Sequence, residues 1–561
     1  MKKTRIALTS KFILLVLLFG CNATLCAAET LLRVAIIGDS TVCEYPPENA
    51  CRSWGHYIQD YFKDTVRVIN LAGSGCSTKT FINEGLWAKT LEEKPDVLLI
   101  QFGHNDSHNS DRPEATDAAT DFRDYLRRYI DESGAIGATP ILVTPVQRRT
   151  YGSDGRLNNT LIIYADAMKA VAAEKKVGLI DLNASSGRLY EQLGPAANDV
   201  VASTPDDRTH FNENGARMMA HLVMQELTQV EPRMAEQLVP DGPAALGRIA
   251  DKPLFRDPVY DGAADPVLCW NRAEKKWFMF YTNRRANVPN TKGVSWVHGT
   301  KIGIAESSDG GATWKYRGTA NINYGQGEYS YWAPEVIEHG GTYHMYLTFV
   351  PGMHTDWSGT RDIIHLISKD LLNWKFESVL KLSSNRVIDA CVMWLPDGTW
   401  RMWYNNEVDG KSIYYADSPD LYKWNDKGKA MGERPGEGPK VFRWKSCCWM
   451  VVDVWKGLGI YKSQDCLKWT RQEKNLLEEP GQGSDDQVKG GHPDVVVSGG
   501  RAYLFYFTHP GRRSSNNKGS ASEMRRSSIQ VVEIESKHAW LSCRRDEPTY
   551  INLKAVTETA K

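Results

Sequence analysis

The stretch "AIIGDSTVCEY", residues 35–45, is an apolar run that ends in Gly-Asp-Ser-Thr. Such a run is typical of a buried β-strand, and the glycine and polar residues after it mark the end of that strand. Gly-Asp-Ser also occurs in ordinary turns. Ser40 is therefore either a turn residue or a nucleophile, and the remainder of the chain has to decide between these two roles.

The first 230 residues continue the pattern of this stretch. Four more apolar runs follow it, with the sequences VRVIN, DVLLIQF, PILVTP and VGLIDL. Amphipathic stretches separate the runs, and five apolar residues recur at helical spacing in one of them, namely Trp54, Tyr57, Ile58, Tyr61 and Phe62. Continuously apolar strands that alternate with helices predict a parallel sheet covered on both faces, an α/β/α domain over residues 29–230.

The second half of the chain has a different period. A Pro-, Gly- and Ala-rich segment without clear periodicity, residues 231–256, predicts a linker. Beyond it, Ser-x-Asp followed by Trp occurs four times, as SSDGGATW, SKDLLNW, SPDLYKW and SQDCLKW, with the Asp residues 45 to 61 positions apart. Aromatic strand-like stretches such as KWFMFYTN, TWRMWYNN and CCWMVVDVW recur with them. Repeats at this period predict an all-β domain over residues 257–561, a β-propeller with five blades.

The N-terminus has the parts of a bacterial secretion signal over residues 1–28: a basic start, an apolar run from Phe12 to Phe19, and small residues after it. That run is too short to span a membrane, and no later run is long and apolar enough for a transmembrane helix. Two processing routes stay open, acylation of Cys21 as a lipid anchor or ordinary cleavage before Glu29. We expect an exported protein, in the periplasm or at the outer membrane or cell surface of a bacterium.

Composition excludes some partners. Sixty-eight Lys and Arg balance 68 Asp and Glu. The sequence has no pattern of basic residues interleaved with aromatic residues, so it does not predict nucleic-acid binding. The 11 cysteines do not form a disulfide framework at this length. Either Cys43 and Cys51 bridge one loop or both remain thiols, whereas Cys447 and Cys448 lie in an apolar stretch that predicts core positions.

A serine esterase needs more than a nucleophile: a base, a residue that orients the base, and donors for the oxyanion. The segment PDDRTHF follows the last predicted strand and carries Asp207 and His210 three residues apart. Gly75 follows the second strand, where its N–H group can face the site, and Asn105 follows the third strand with a side-chain amide. The carboxyl ends of parallel strands share one edge of a sheet, which is where such folds place active sites.

These residues resemble the four sequence blocks of the SGNH/GDSL hydrolases, which have a flavodoxin-like α/β/α fold. The blocks here are Gly38-Asp39-Ser40-Thr41, Gly75, Gly103-His104-Asn105-Asp106 and Asp207-x-x-His210, and the set is most similar to the rhamnogalacturonan acetylesterases. The resemblance implies that Ser40 is the nucleophile, His210 the base and Asp207 the residue that orients it. It also implies an oxyanion hole formed by the N–H groups of Ser40 and Gly75 and the Asn105 amide, with no cofactor. Cys76 departs from this family, in which Arg is frequent at that position, so pectin-backbone specificity stays open.

Carboxylates stand at the starts of three predicted blades: Asp265 in GAADPVLCW, Asp389 in RVIDACVMW and Glu437 in GEGPKVF. Glycoside hydrolysis needs two carboxyl groups facing one bond. This order resembles glycoside hydrolase family 43, whose fold is a five-bladed propeller. The resemblance implies that Asp265 is the general base, that Glu437 is the general acid, and that Asp389 orients the acid and tunes its pKa.

The same resemblance implies two further features of the propeller. His492, at the start of the last blade, occupies the position that lines a central cation in that family, so a structural calcium ion is expected in the propeller centre. Trp332 is a candidate sugar platform, with core packing as the alternative role for it and for the other aromatic residues of the blade strands.

Together these features predict a secreted hydrolase with two active domains. The first would be a carbohydrate acetylesterase, and the second a glycosidase of the arabinofuranosidase, xylosidase or galactosidase type, both acting on plant cell-wall polysaccharide such as pectin. Two alternatives stay open: an esterase whose propeller only binds carbohydrate, and a nonenzymatic surface protein that binds glycans. The complete triad argues against the last, because binding alone does not require it.

Overall fold

The computed structural model of the protein describes residues 31–513, 519–537 and 540–556. The predicted secretion signal, with Cys21, lies outside the described residues. The first domain contains a five-stranded parallel sheet in the order β2-β1-β3-β4-β5. The strands are β1 (Leu32–Gly38), β2 (Val66–Asn70), β3 (Val97–Gln101), β4 (Thr139–Val143) and β5 (Gly178–Ile180).

Helices cover both faces of this sheet. They are α1 (Thr78–Asn83), α2 (Leu86–Glu92), α3 (Asp121–Ala135), α4 (Ile162–Lys175), α5 (Leu182–Leu193), α6 (Ala197–Val201) and α7 (Glu213–Val230). One buried core lies between the sheet and α5 and α7, and a second lies between the sheet and α1 to α4. The predicted α/β/α fold is confirmed, because alternate side chains of each apolar strand enter opposite cores.

The segment around residues 54–62 differs from the expected helix. It forms two short 3₁₀ turns, Trp54–Tyr57 and Gln59–Tyr61, rather than one α-helix. The apolar spacing still indicates which side is buried, since Trp54 and Ile58 are fully buried. Gly55 explains the irregular backbone: a Cβ atom there would lie 2.2 Å from the Val42 carbonyl oxygen, so the chain follows this close contact rather than a regular helix.

The segment 231–256 contains short elements, namely α8 (Arg233–Glu236), a 3₁₀ turn at Pro243–Leu246, and β6 (Arg248–Ile249). Contacts tie it to the first domain. His221 of α7 is hydrogen-bonded through Nε2 to the Gly247 carbonyl at 2.5 Å, and the Val239 N–H donates to the Tyr61 carbonyl at 2.9 Å.

The remaining chain forms five sheets, one for each blade, which confirms the five-bladed propeller. The first blade contains β7 (Ala263–Asn271), β8 (Lys276–Asn283), β9 (Lys301–Ser307) and β10 (Lys315–Thr319), and the second contains β11 (Asn321–Asn323), β12 (Tyr329–His339), β13 (Thr342–Pro351), β14 (Asp362–Ser368) and β15 (Asn373–Val379). The third blade contains β16 (Val387–Trp394), β17 (Trp400–Asn406), β18 (Ser412–Ser418) and β19 (Asn425–Met431), and the fourth contains β20 (Glu437–Trp444), β21 (Cys447–Asp453), β22 (Leu458–Ser463) and β23 (Thr470–Arg471). The fifth blade contains β24 (Gly491–Ser498), β25 (Arg501–Thr508), β26 (Ser528–Lys537) and β27 (Trp540–Cys543). A short helix, α9 (Ala521–Arg525), precedes β26, and β28 (Tyr550–Ile551) pairs with β6. The first strand of each blade contacts the first strands of its two neighbours, so the ring is closed around these strands.

The Ser-x-Asp repeat is a structural turn between the third and fourth strands of a blade. In the second blade, Asp370 Oδ1 accepts the N–H groups of Leu372 and Asn373, each at 2.8 Å. The indole of Trp374, which opens the next strand, donates to the Leu371 carbonyl at 3.2 Å. Hydrogen bonds to the backbone, rather than a functional site, therefore account for this repeated motif.

Of the two alternatives for Cys43 and Cys51, the structure shows the unpaired one, and it adds a disulfide in the propeller that the sequence did not predict. Cys43 and Cys51 are both free thiols. Cys448 lies in the core, as predicted for it, but it forms a disulfide with Cys466, whereas Cys447 is free and only partly buried. Throughout the described ranges, no helix is long and apolar enough to cross a membrane.

Candidate active sites

Ser40 lies directly beyond the end of β1, and the loop between α6 and α7 brings two predicted partners to it. His210 Nε2 is 3.0 Å from Ser40 Oγ, and His210 Nδ1 is 2.9 Å from Asp207 Oδ2. Asp207 Oδ1 accepts the N–H groups of Thr209 and His210 at 2.7 and 2.8 Å, which fixes the turn that presents both side chains. The three residues form one hydrogen-bonded chain.

The protonation state of Asp207 determines which nitrogen of His210 carries the proton. Burial acts to raise its pKa, but hydrogen bonds from the backbone N–H groups of His210 and Thr209 and from the Ser203 hydroxyl lower the pKa to about 2. An ionised carboxylate only accepts hydrogen bonds, so Nδ1 of His210 must carry the proton. Nε2 of the neutral imidazole is then free to accept the hydroxyl proton of Ser40.

Two of the candidate oxyanion donors, Gly75 and Asn105, lie on the loops that follow β2 and β3. Gly75 has a φ of +82°, a conformation that favours glycine, and the space where its Cβ would lie is open. Asn105 is 9% exposed, and its Nδ2 donates to the Cys76 carbonyl at 2.8 Å, so the amide is held beside the Gly75 loop. The hydrogen bonds of the described residues leave the N–H groups of Ser40 and Gly75 without an acceptor.

Two buried aspartates hold these loops in place. Asp39 accepts the N–H group of Thr41 at 2.9 Å and contacts His104 Nδ1 at 3.1 Å, which joins the loops after β1 and β3. Asp106 accepts the hydroxyl groups of Thr78 and Thr116 at 2.5 and 2.8 Å. Burial raises the pKa of Asp106 to about 6, although the threonine hydrogen bonds oppose this effect. The Asp residues of the first and third sequence blocks therefore support the site structurally.

Arg149 is a supporting residue that the sequence analysis missed. It is fully buried, and its Nη2 donates to the carbonyls of His210 and Asp207 at 2.7 and 3.2 Å. Its guanidinium also packs over the Phe211 ring at 5.0 Å. Because Arg149 binds backbone carbonyls, no motif records it; the only signal is a basic pair shortly after the fourth apolar run.

In the propeller, the predicted residues line a single cavity of about 780 Å³. These are Asp265, Trp332, Asp389, Glu437 and His492. A cavity of this volume is of the size that holds a small ligand. The structure thus brings together side chains that are up to 227 residues apart in the sequence.

An irregularity shared by all five blades explains this convergence. Each first strand shifts register near its start, and a residue with positive φ lies at the shift. These residues are Asp265, Ala333, Asp389, Gly438 and His492, with φ between +38° and +60°. A bulge turns a side chain away from the regular alternation of a strand. Four of the five residues are not glycine, so the strained conformation is maintained where side chains enter the cavity.

The carboxylates of the cavity are held by cationic partners. Arg284 Nη2 donates to both oxygens of Asp265 at 2.8 and 3.0 Å. Lys411 Nζ is 2.7 Å from Glu437 Oε2, and the Trp455 indole donates to Glu437 Oε1 at 3.1 Å. Burial acts to raise the pKa of Asp265, but the charges of Arg284 and His492 outweigh it and lower the pKa.

Asp389 has the opposite environment. Burial raises its pKa to about 7; the charges of Glu437 and Asp265 add to the rise, and His492 opposes it. Its Oδ2 accepts the Gly438 N–H at 2.9 Å, next to Glu437 in the chain. Asp453, which the sequence analysis did not single out, also lines the cavity, and burial raises its pKa to about 6. Both carboxyls can therefore hold a proton close to neutral pH.

The aromatic lining differs in part from the predicted platform. Trp332 is only 8% exposed, and its indole donates to the Val297 carbonyl at 2.7 Å. Trp357 is 52% exposed and packs edge-on against Trp332, with 6.0 Å between ring centroids. Trp357 lies in a loop between two strands, outside the blade patterns, so its contribution to the cavity was not predicted.

The predicted central cation does not fit the residues present. His492 Nδ1 lies 3.4 Å from Asp265 Oδ1, as an ion-pair partner. Within the described part of the chain, no three His, Cys, Asp or Glu side chains are arranged to hold a metal ion. Calcium prefers six to eight oxygen ligands, whereas the ammonium of Lys440 lies between the carboxylates of Glu335 and Asp494.

Comparison with known proteins finds a matching family model, similar curated proteins and a similar solved structure. A family model described as the GDSL-like lipase/acylhydrolase family matches residues 36–218. Rhamnogalacturonan acetylesterase RhgT of Bacillus subtilis (strain 168) is 37% identical over 223 residues, which cover 37% of this chain and 94% of that protein. The probable rhamnogalacturonan acetylesterase YesY of the same organism is 33% identical over 212 residues, 37% of this chain and 97% of that protein. The crystal structure of a thermostable family-43 glycoside hydrolase is 19% identical, with a TM-score of 0.41, covering 54% of this chain and all of that one.

Proposed function

The chain belongs to the GDSL-like lipase/acylhydrolase family, and we propose that its first domain is a serine esterase that removes acetyl groups from plant cell-wall polysaccharide of the rhamnogalacturonan type. The observation that carries this proposal is the hydrogen-bonded chain from Ser40 through His210 to Asp207. The identity to two curated relatives with acetylesterase names supports the choice of substrate.

The geometry accounts for each step of ester hydrolysis. His210 Nε2 takes the hydroxyl proton while Ser40 Oγ attacks the acetyl carbonyl, and the ionised Asp207 stabilises the imidazolium that forms. The N–H groups of Ser40 and Gly75 and the Asn105 amide are the donors for the oxyanion. His210 then gives the proton to the sugar oxygen as the bond between that oxygen and the acetyl carbon breaks, which leaves the acetyl group on Ser40. Water releases acetate from Ser40 by the same route in reverse.

The test of this assignment is acetate release from acetylated pectic and xylan oligosaccharides. We expect the Ser40→Ala variant to lose activity by about four orders of magnitude or more. Ser110→Ala, in an exposed turn, is the matched control and should behave like the unmodified protein. Full acetate release by the Ser40→Ala variant would refute the esterase assignment.

For the propeller we propose an inverting glycoside hydrolase that removes an arabinofuranose, xylose or galactose unit from the same class of polysaccharide. Glu437 would protonate the leaving oxygen, Asp265 would activate water, and Asp389 would position the acid. The support is that all three line one cavity and that Asp389 binds the N–H group beside Glu437. The signal-like N-terminus supports export of the whole protein.

A specific observation favours a second candidate, a propeller that only binds carbohydrate. Arg284 engages both oxygens of Asp265, and Lys411 pairs with Glu437. Both carboxylates are thus ion-paired, although hydrolysis needs one to accept a proton and the other to donate one. Mass spectrometry of digested oligosaccharides separates the two candidates. Loss of a terminal sugar that disappears in Glu437→Gln, but not in the exposed control Glu433→Gln, supports the glycosidase; acetyl loss alone supports the binding propeller.

A further inference from the structure

The first strands of the blades share a second set of equivalent positions. In each of these strands, regular pairing with the neighbouring strand resumes directly after the bulge. The residues at that point are Val267, Glu335, Cys391, Lys440 and Asp494, one from each blade. Since the first strands contact one another around the ring, these five positions lie at the same level around its axis.

Three of these residues form an ion-paired cluster. Lys440 Nζ is 2.9 Å from Glu335 Oε2 and 2.8 Å from Asp494 Oδ1. The Glu335 and Asp494 side chains are 4% and 3% exposed, and that of Lys440 is 14% exposed. A lysine of the fourth blade therefore joins carboxylates of the second and fifth blades away from water.

Backbone groups extend this cluster to the other two blades. Glu335 Oε1 accepts the N–H group of Val392, in the third blade, at 3.0 Å. Asp494 Oδ2 accepts the N–H group of Leu268, in the first blade, at 2.9 Å. A single ammonium and two carboxylates thus link all five first strands, including those that present Asp265, Asp389 and Glu437 to the cavity.

We propose that Lys440 is the resident cation of this propeller and takes the place of a structural metal ion at the ring centre. Two buried carboxylates without a compensating charge are costly, and the ammonium offsets that cost. A divalent ion at the same carboxylates would have to share them with the ammonium, and like charges at such distances repel. The ion pairs of Lys440 with Glu335 and Asp494 therefore hold the five first strands together, and the stability of the ring does not depend on calcium.

The first test compares the unmodified full-length protein in millimolar EDTA and in millimolar calcium chloride. Tryptophan fluorescence reports unfolding of the propeller, because every tryptophan except Trp54 and Trp87 lies beyond residue 257. A resident metal would stabilise the folded state by linkage. We expect the same midpoint in both solutions and no stoichiometric metal in the purified protein by elemental analysis. A lower midpoint in EDTA that calcium restores, or a retained equivalent of metal, would overturn the proposal.

Variants test the role of the ammonium itself. We expect Lys440→Met to lower the melting midpoint by about 10 °C, the effect of breaking a buried ion pair in a domain of this size. Lys427→Met, exposed on a third-blade strand, is the matched control and should not shift it. Adding Glu335→Gln and Asp494→Asn to Lys440→Met should recover most of the loss, because no unpaired charge then remains in this cluster. A Lys440→Met protein as stable as the unmodified one would contradict the proposal, and if that variant does not fold, the chelation experiment decides.

Discussion

Replacing Asp207 by Asn tests the proton path of the esterase site at one atom. In the native site Asp207 Oδ2 contacts His210 Nδ1 at 2.9 Å, which leaves Nε2 to accept the Ser40 proton across 3.0 Å. An asparagine can keep its oxygen on the N–H groups of Thr209 and His210, and its NH₂ group then faces Nδ1. Two donors cannot share a hydrogen bond, so the imidazole proton moves to Nε2 and the base is lost.

The expected magnitude is large for activity and small for stability. With the wrong tautomer, we expect kcat to fall by about 10³- to 10⁴-fold, or about 4–5.5 kcal/mol, with little change in KM. The pKa of Asp207 is about 2 against the usual 3.8, which corresponds to about 2.5 kcal/mol of stabilisation in the ionised state. Because the side chain is 19% exposed, solvent screening reduces this to about 1–2 kcal/mol.

The sign of the pH dependence follows from the lowered pKa. A carboxyl with a depressed pKa in the folded state contributes stability above its unfolded pKa, near 4, and loses that contribution as the pH falls towards 2. The stability difference between the unmodified protein and Asp207→Asn should therefore shrink over that interval. Acetate release and acid unfolding are the two assays, with the exposed neighbour variant Asp206→Asn as control. If Asp207→Asn keeps more than about a tenth of kcat, Asp207 does not set the tautomer of His210.

Four further variants test the remaining structural arguments. Arg149→Met removes the donors to the carbonyls of Asp207 and His210. In an acetate-release assay, kcat should fall roughly 10- to 100-fold with KM nearly unchanged. An unaltered kcat would show that the loop between α6 and α7 keeps its shape without Arg149. Asp389→Asn should raise the melting midpoint at about pH 8 but not at about pH 4. A carboxyl whose pKa is raised to about 7 in the folded state loses stability as the pH rises from its unfolded pKa, near 4, to about 7, and the full cost is present above that. Equal shifts at both pH values would contradict that pKa. Trp357→Ala, which removes the exposed ring of the cavity, should raise KM for oligosaccharides roughly tenfold without affecting acetate release; an unchanged KM would show that sugars do not contact this ring. Ser40→Ala should slow sugar release from acetylated substrate but not from chemically deacetylated substrate. If the variant and the unmodified protein release sugar from acetylated substrate at equal rates, the two domains act independently.

Local order along the chain was sufficient to predict both architectures. The continuously apolar runs predict strands that are buried on both faces. Because helical patterns separate the runs, the strands are joined by helices and form a parallel sheet with a core on each side. The period of the Ser-x-Asp turns determines the blade length, because each Asp binds N–H groups of its own turn. The residues of the esterase triad could also be identified from the sequence, since each lies in a recognisable short motif, Ser40 after the first strand and Asp207 and His210 before a helix.

Contacts between distant residues were decided only by the tertiary structure. The helical spacing around Trp54 indicates a buried face, but the close approach of Gly55 to Val42 determines that the backbone forms 3₁₀ turns. Arg149 supports the triad through backbone carbonyls, which any residue provides and no motif records.

The charged residues of the propeller show the same difference between local patterns and tertiary contacts. The sequence by itself determined that Asp265, Asp389 and Glu437 stand at the starts of three different blades, and hence that they could face one cavity. It could not determine that Lys440 lies between Glu335 and Asp494, because that contact joins residues up to 159 positions apart and exists only when the ring closes. Local patterns follow from interactions within a few residues, whereas ion pairs around the axis depend on the packing of all five blades.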